Sequence, residues 1–158
     1  MDLVVVGGSD AGISAGLRAL EVDPSTTVAL VVADAYPNFS ICGIPYFISG
    51  DVHDWHDLAH RTRADLEAAG LRLRLDTRAT RIDPDRHELH VRNPDGSNEV
   101  LGYDALVVGT GAVPVMPPID GLTGPDALGA VDGSTCCTPW ERRSTSPPPS
   151  TSASPPTR

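Results

Sequence analysis

The hydrophobic pattern begins with a short apolar run at residues 3–6, which a glycine-rich turn follows. Apolar residues then recur at helical spacing over residues 13–20 and stop before Asp23-Pro24. A second apolar run over residues 28–32 closes at Asp34. A strand, a glycine turn, a helix and another strand form a βαβ unit, so the pattern predicts an α/β fold with a parallel sheet.

The later pattern predicts one more helix and several further strands. Residues 62–69 are helical in spacing, with Thr62 as N-cap and Gly70 just beyond the end. A turn at residues 93–96 fits a small β-meander. The strand-like runs themselves lie at residues 71–75, 79–83, 87–92 and 105–108.

The character of the chain changes after the last apolar run. Residues 1–132 carry 9 Arg and 20 acidic residues, whereas residues 133–158 carry 3 Arg and one acidic residue and are rich in Ser, Thr and Pro. We expect an ordered domain over residues 1–121 and a disordered tail over residues 122–158. The composition break also suggests a reading-frame shift near residue 130, with a natural disordered tail as the alternative.

The acidic composition of the chain bears on which partners it can bind. A net charge of −9 and a pI of about 4.8 argue against nucleic acid and anionic membranes, which both require a basic face. The N-terminus has no basic region before its first strand, and no apolar run approaches the length of a membrane span. Three cysteines in this setting indicate reduced thiols, no metal site is expected, and the expected compartment is the cytoplasm.

The glycine turn is the first candidate site. Gly7 allows a tight turn, Gly12 allows close packing of helix and strand, and the helix start offers N–H groups to a pyrophosphate. Ser9 replaces the middle glycine of the dinucleotide fingerprint, so a glycine turn without a nucleotide is the alternative. Asp34 is the acid expected to bind an adenosine ribose, and its alternative role is a solvated turn residue. The candidate cofactor-binding residues of this turn are Gly7, Gly8, Ser9, Asp10, Ala11 and Gly12.

Cys42 is the second candidate site. Gly43 and Pro45 follow it, and proline suits the first turn of a helix. A thiol at a helix start is stabilised as the thiolate and is therefore more nucleophilic, although most free cysteines are inert core residues. A third candidate is the loop Thr110-Gly111-Ala112, which follows a buried strand and offers its backbone to the same cofactor. Its alternative role is that of a simple strand-ending turn.

With these three sites in order, the sequence resembles the FAD-binding half of the pyridine nucleotide-disulfide oxidoreductases. The nearest likeness is to the single-cysteine branch, namely coenzyme A-disulfide reductases, NADH oxidases and NADH peroxidases. The motifs that carry it are GGSDAG at 7–12, FSICGIPYFISG at 39–50 and YDALVVGTGAVP at 103–114. The resemblance implies a Rossmann-like FAD-binding domain, with the backbone near Ala79 and Thr80 at the adenine.

The resemblance also implies a function. In the family, NAD(P)H reduces FAD, and the flavin passes electrons to the cysteine. Phe47 stands where the two-cysteine branch has its second thiol, so Cys42 is expected to exchange with an outside group, either a small disulfide such as coenzyme A disulfide or oxygen and peroxide. Relatives are homodimers, and their NAD(P)H and dimerisation domains do not fit into the remaining residues.

Two departures from the family pattern stand out. Asp10 occupies the place of a histidine in NADH peroxidases, and Val32 stands where the family's ribose acid usually falls. Three hypotheses follow: an FAD-dependent oxidoreductase with a redox-active Cys42, a non-catalytic flavin-binding fragment, and an NAD(P)-binding module with a structural cysteine.

Overall fold

The computed structural model describes residues 1–38 and 40–112, together with Asp120. Residues Met1–Ala112 form one compact unit, and the second unit, Val113–Arg158, lies outside the described residues except for Asp120. The predictions of a disordered tail and of a frame shift concern that second unit. The compact unit ends nine residues before the boundary predicted at residue 121.

Four parallel strands form the central sheet in the order β3-β2-β1-β7. Val4 pairs with Ala29 of β2 on one side and with Leu106 of β7 on the other, so β1 lies inside the sheet. The last strand of the unit, β7, therefore lies next to the first strand, β1. The four strands are β1 (Asp2–Val6), β2 (Thr27–Val31), β3 (Leu71–Arg74) and β7 (Ala105–Val108).

A three-stranded antiparallel meander forms the second sheet, in the order β4-β5-β6. The sequence pattern predicted the first two strands and the turn after them, where the N–H of Gly96 donates to Asn93 O at 2.9 Å. The pattern did not predict β6. The strands are β4 (Arg78–Asp83), β5 (Glu88–Arg92) and β6 (Asn98–Gly102).

The two helices whose extent the sequence predicted begin and end close to their predicted positions. In α3 (Arg63–Ala68), Thr62 and Asp65 form a reciprocal capping box, and Gly70 has a positive φ of 99° just beyond the end. This capping fixes the start of α3, although the helix has only six residues. The other two helices are α1 (Asp10–Val22) and α2 (Ile44–Ser49), and 3-10 turns cover Ile41–Gly43 and Trp55–Leu58.

Apolar layers cover both faces of the parallel sheet. Leu3 and Val5 pack with Ile13 of α1 and Leu66 of α3 on one face. On the other face, Val4, Val6 and Val31 pack with Leu89 and Val91 of the meander. Because β1 is buried on both faces, its residues 3–6 are all apolar, which explains the unbroken run in the sequence. Within the described part of the chain, no helix has the length and apolar character that a bilayer span requires.

Candidate functional site

The glycine turn leads directly from β1 into α1 at the carboxyl edge of the parallel sheet. Gly7 has a φ of 112°, which side-chain-bearing residues rarely adopt, and its N–H donates to Val31 O at 2.9 Å. Ser9 is the N-cap in an extended conformation, and its side chain makes no capping hydrogen bond. Asp10 and Ala11 are exposed at the first turn of the 13-residue helix. The helix start therefore offers backbone N–H groups at the surface.

The loop after β7 lies against this turn. The N–H of Gly109 donates to Val6 O at 2.7 Å, and a Cβ added to Gly7 would collide with Gly109 O. A Cβ on Gly109 would lie 3.3 Å from Gly12 N. The structure thus brings the third candidate loop, Thr110-Gly111-Ala112, next to the first, and these three residues are exposed.

Glycine at position 12 keeps α1 close to the strand that precedes it. A Cβ at this position would collide with Gly7 O and would lie 3.1 Å from the Cγ1 atom of Val5. The close approach predicted from the sequence is therefore present. It is a packing requirement that any larger side chain would violate.

Asp34 follows β2 at the same edge of the sheet. Its carboxyl is half-buried, with the Oδ1 atom shielded from solvent, and its carbonyl accepts from the N–H of Asp76 at 3.2 Å. The N–H of Thr77 donates to Val32 O at 2.9 Å, which ties the start of the meander to the end of β2. Asp34 and the glycine turn therefore follow neighbouring parallel strands, the arrangement expected of a dinucleotide site.

Ala79 and Thr80 lie near the start of β4, two and three residues beyond the Thr77 link. Ala79 pairs with Val91, and Arg81 pairs with His90, so Thr80 has no partner in the register. Such a bulge takes the backbone of one residue out of the ladder. The Thr80 hydroxyl donates to His90 O at 3.1 Å, which fixes the side chain on the strand.

Cys42 lies in the 3-10 turn that runs into α2, and its side chain is exposed. Pro45 occupies the first turn of that helix, as the sequence predicted. Large apolar side chains surround the thiol in sequence and are also exposed: Ile41 is 70% exposed, and Tyr46 and Ile48 are each 59% exposed. The thiol is therefore accessible to a reagent or substrate.

The Cys42 turn rests on the 3-10 turn at Trp55–Leu58. The N–H of Ser40 donates to Leu58 O at 2.9 Å, and a Cβ on Gly43 would lie 2.6 Å from the Leu58 side chain. A larger residue at position 43 would therefore have to displace the Leu58 side chain, a contact that the sequence pattern did not predict. The two short turns hold each other in place.

A cluster of aromatic side chains packs at the turn Trp55–Leu58. The ring centroids of Tyr36 and Trp55 are 4.8 Å apart at a steep angle, and His56 stacks on Trp55 at 3.5 Å. His56 Nδ1 lies 2.6 Å from a carboxylate oxygen of Asp54. The backbone N–H of His56, and then its ring, hold the pKa of Asp54 below its ordinary value. These contacts stiffen the turn at Trp55–Leu58.

Sequence reasoning missed Asn38. This residue is 2% exposed, has a φ of 64°, and donates its backbone N–H to Gly8 O at 2.6 Å. Its side-chain amide donates to Arg61 O at 3.5 Å. The one local signal is that asparagine tolerates a left-handed backbone, which does not reveal the distant partner.

The residues present fit a dinucleotide such as FAD. The glycines keep backbone rather than side chains at the turn, the start of α1 offers N–H donors, and a half-buried carboxylate follows the neighbouring strand. Among the described residues, no cluster of three or more His, Cys, Asp or Glu side chains is arranged to hold a metal ion.

A family model described as pyridine nucleotide-disulphide oxidoreductase matches residues 1–145, which is most of the chain. The chain belongs to this family. An NADH oxidase from Enterococcus faecalis is 30% identical over 129 residues, which are 81% of this chain and 29% of that protein. The predicted family, which is a family of oxidoreductases, is thereby confirmed.

Solved structures of pyridine nucleotide-disulphide oxidoreductases agree with the fold. An NAD-dependent persulfide reductase from A. fulgidus matches with a TM-score of 0.73 at 35% identity, over 77% of this chain and 23% of that one. A water-forming NADH oxidase from Lactobacillus brevis, solved bound to NADH, matches with a TM-score of 0.72 at 27% identity, over 79% of this chain and 28% of that one. The chain therefore spans less than a third of the length of these relatives.

These comparisons confirm two further expectations. The α/β fold with a parallel sheet and a meander is that of the Rossmann-type flavoprotein oxidoreductases. FAD and NAD(P)H are the cofactors that membership of this family implies.

Proposed function

We propose that this chain is the FAD-binding part of an oxidoreductase that passes electrons from NAD(P)H to the thiol of Cys42. The observation that carries the proposal is the contact between the two glycine loops, because backbone from both loops is presented at one edge of the sheet. The hydrogen bond from Asn38 to Gly8 links the segment that leads to Cys42 to the same place.

Each candidate residue has a role in holding FAD. The turn at residues 7–12 offers N–H groups to the pyrophosphate, and Asp34 offers its carboxylate to the ribose. The bulged backbone at Ala79 and Thr80 receives the adenine, and the loop Thr110-Gly111-Ala112 contacts the cofactor from the neighbouring strand. Bound FAD supplies hydride acceptance from NAD(P)H and transfer of the electrons to a nearby acceptor.

The chemistry of Cys42 is exchange with a small outside group. Its thiolate attacks one sulfur of a disulfide, so a mixed disulfide forms at Cys42 and one small thiolate leaves. With hydrogen peroxide, the thiolate takes one oxygen to become a sulfenic acid, and hydroxide leaves. The relative named persulfide reductase supports a sulfur-containing substrate, and the relative named NADH oxidase supports oxygen or peroxide chemistry.

Incubation with coenzyme A disulfide tests the thiol chemistry. Mass spectrometry of the full chain should find the coenzyme A adduct on Cys42, and Cys42→Ser should remove it while leaving FAD binding intact. Peroxide treatment followed by a sulfenic-acid trap tests the other substrate class. A Cys42 that stays unmodified by both reagents, while Cys136 and Cys137 react, would contradict the redox role.

A second candidate function is a non-catalytic flavin-binding unit. It rests on the same contact between the two glycine loops, which accounts for flavin binding whether or not electrons reach Cys42. Anaerobic mixing of the FAD-loaded chain with NADH distinguishes the oxidoreductase from the non-catalytic binding unit. Loss of the flavin absorbance supports the oxidoreductase, and an unchanged spectrum supports the binding unit.

A further inference from the structure

Asn38 connects two parts of the candidate site that are distant in sequence. Its backbone N–H bonds to the carbonyl of Gly8 in the glycine turn. Two residues later, the N–H of Ser40 bonds to Leu58 O, and the N–H of Gly43 bonds to Ser40 O at 3.1 Å. Asn38 is therefore the point at which the segment carrying Cys42 is attached to the glycine turn.

The conformation of Asn38 requires an unusual residue. Its φ of 64° lies in the left-handed region, where most side chains are strained and asparagine is tolerated. The residue is 2% exposed, so water cannot readily replace its backbone hydrogen bond. A substitution that loses the left-handed conformation must therefore also disturb the bond to Gly8.

We propose that Asn38 is a positioning residue, which fixes the Cys42 turn relative to the group bound at the glycine turn. The backbone bond to Gly8 sets the attachment, and the longer side-chain bond to Arg61 O adds a second link. The identity of the bound group as FAD rests on the proposed function. The attachment itself does not, because its hydrogen bonds join residues of the chain only.

Three variants separate the contributions of Asn38. Asn38→Gly keeps the left-handed conformation and loses the amide, Asn38→Asp keeps the shape and loses the amide donor, and Asn38→Ala disfavours the conformation itself. His87→Ala is the matched control, since His87 has a similar φ of 54° in the meander and is exposed. The control introduces comparable strain at a site that is not part of the attachment.

Hydrogen exchange of the ligand-free protein gives the primary test. Amides of residues 40–46 should exchange about tenfold faster in Asn38→Ala, because the local opening that exposes them becomes easier. Asn38→Gly should stay close to wild type, and His87→Ala should leave these amides unchanged. The rate of Cys42 alkylation by iodoacetamide should differ from wild type in Asn38→Ala and be restored in Asn38→Gly.

Adding FAD tests the link to the bound group. In the wild type, FAD should slow exchange both at residues 8–13 and at residues 40–46, whereas in Asn38→Ala it should slow only the first. If FAD protects neither region of the wild type, the proposed cofactor is wrong, and the ligand-free comparison alone decides the role of Asn38. Exchange and alkylation that are identical in Asn38→Ala and His87→Ala would overturn the positioning role.

Discussion

The close approach of α1 to the glycine turn predicts that one substitution, glycine to alanine, is much more harmful at Gly12 than at Gly16 of the same helix. In Gly12→Ala, the new methyl group meets Gly7 O, a backbone atom that cannot move easily because the N–H of Gly7 is bonded to Val31 O. In Gly16→Ala, the new methyl group meets the ends of two side chains, with Leu71 Cδ2 at 3.0 Å and Val28 Cγ1 at 3.1 Å.

The magnitudes follow from two opposing effects. Replacing a helical glycine by alanine stabilises a helix by about 1 kcal/mol. Overpacking costs about 1–3 kcal/mol, and a rigid backbone neighbour places Gly12→Ala near the upper value. We therefore expect Gly12→Ala to lower the free energy of unfolding by about 2 kcal/mol, and Gly16→Ala to change it by less than about 1 kcal/mol.

Urea unfolding of the ligand-free chain, followed by circular dichroism, measures both values. FAD retention after reconstitution is then compared between the two variants, and Gly12→Ala should hold FAD less tightly because α1 has shifted away from the turn. Equal stability and equal FAD retention in Gly12→Ala and Gly16→Ala would refute the reasoning, since it depends on the difference between a backbone and a side-chain neighbour.

Three further predictions concern other contacts of the domain. Cys42→Ser should keep the stability of the wild type, because the side chain is exposed, and should lose the coenzyme A adduct in mass spectrometry. Thr62→Ala should lower the free energy of unfolding by about 1 kcal/mol in urea, whereas a change at the exposed Ser14 should have little effect. Asn93 first, and then Arg74, lower the pKa of Glu99, so its contribution to stability is present above its ordinary pKa of 4.5 and is lost as the pH falls through the lowered value. Glu99→Gln should therefore be less stable than wild type in neutral urea titrations and equally stable in strong acid.

Local sequence patterns were enough to predict much of the fold. The apolar run of β1, the glycine turn and the helical spacing of α1 are adjacent in sequence, so their order alone indicated a βαβ unit. The N-cap at Thr62 and the turn ending at Gly96 were likewise visible from residue types, whereas the reciprocal bond from Asp65 was not predicted.

Other features depend on distant residues and were not visible in the sequence. The pairing of β7 with β1 joins residues about a hundred positions apart. Strand β6 has a weak pattern, because Glu99 faces the partly buried Arg74 and Val100 is 49% exposed. The hydrogen bond from Asn38 to Gly8 joins two backbone groups, so no pattern of side chains predicts it.

Reconstitution with FAD tests the central claim most directly. The purified full chain is incubated with FAD, FMN or NAD, desalted, and assayed for bound ligand by absorbance, with circular dichroism to verify folding. The account predicts one FAD retained per chain, no comparable retention of FMN or NAD, and loss of FAD when Gly12 is replaced by leucine. A folded wild-type chain that retains no FAD, or that prefers NAD, would contradict it.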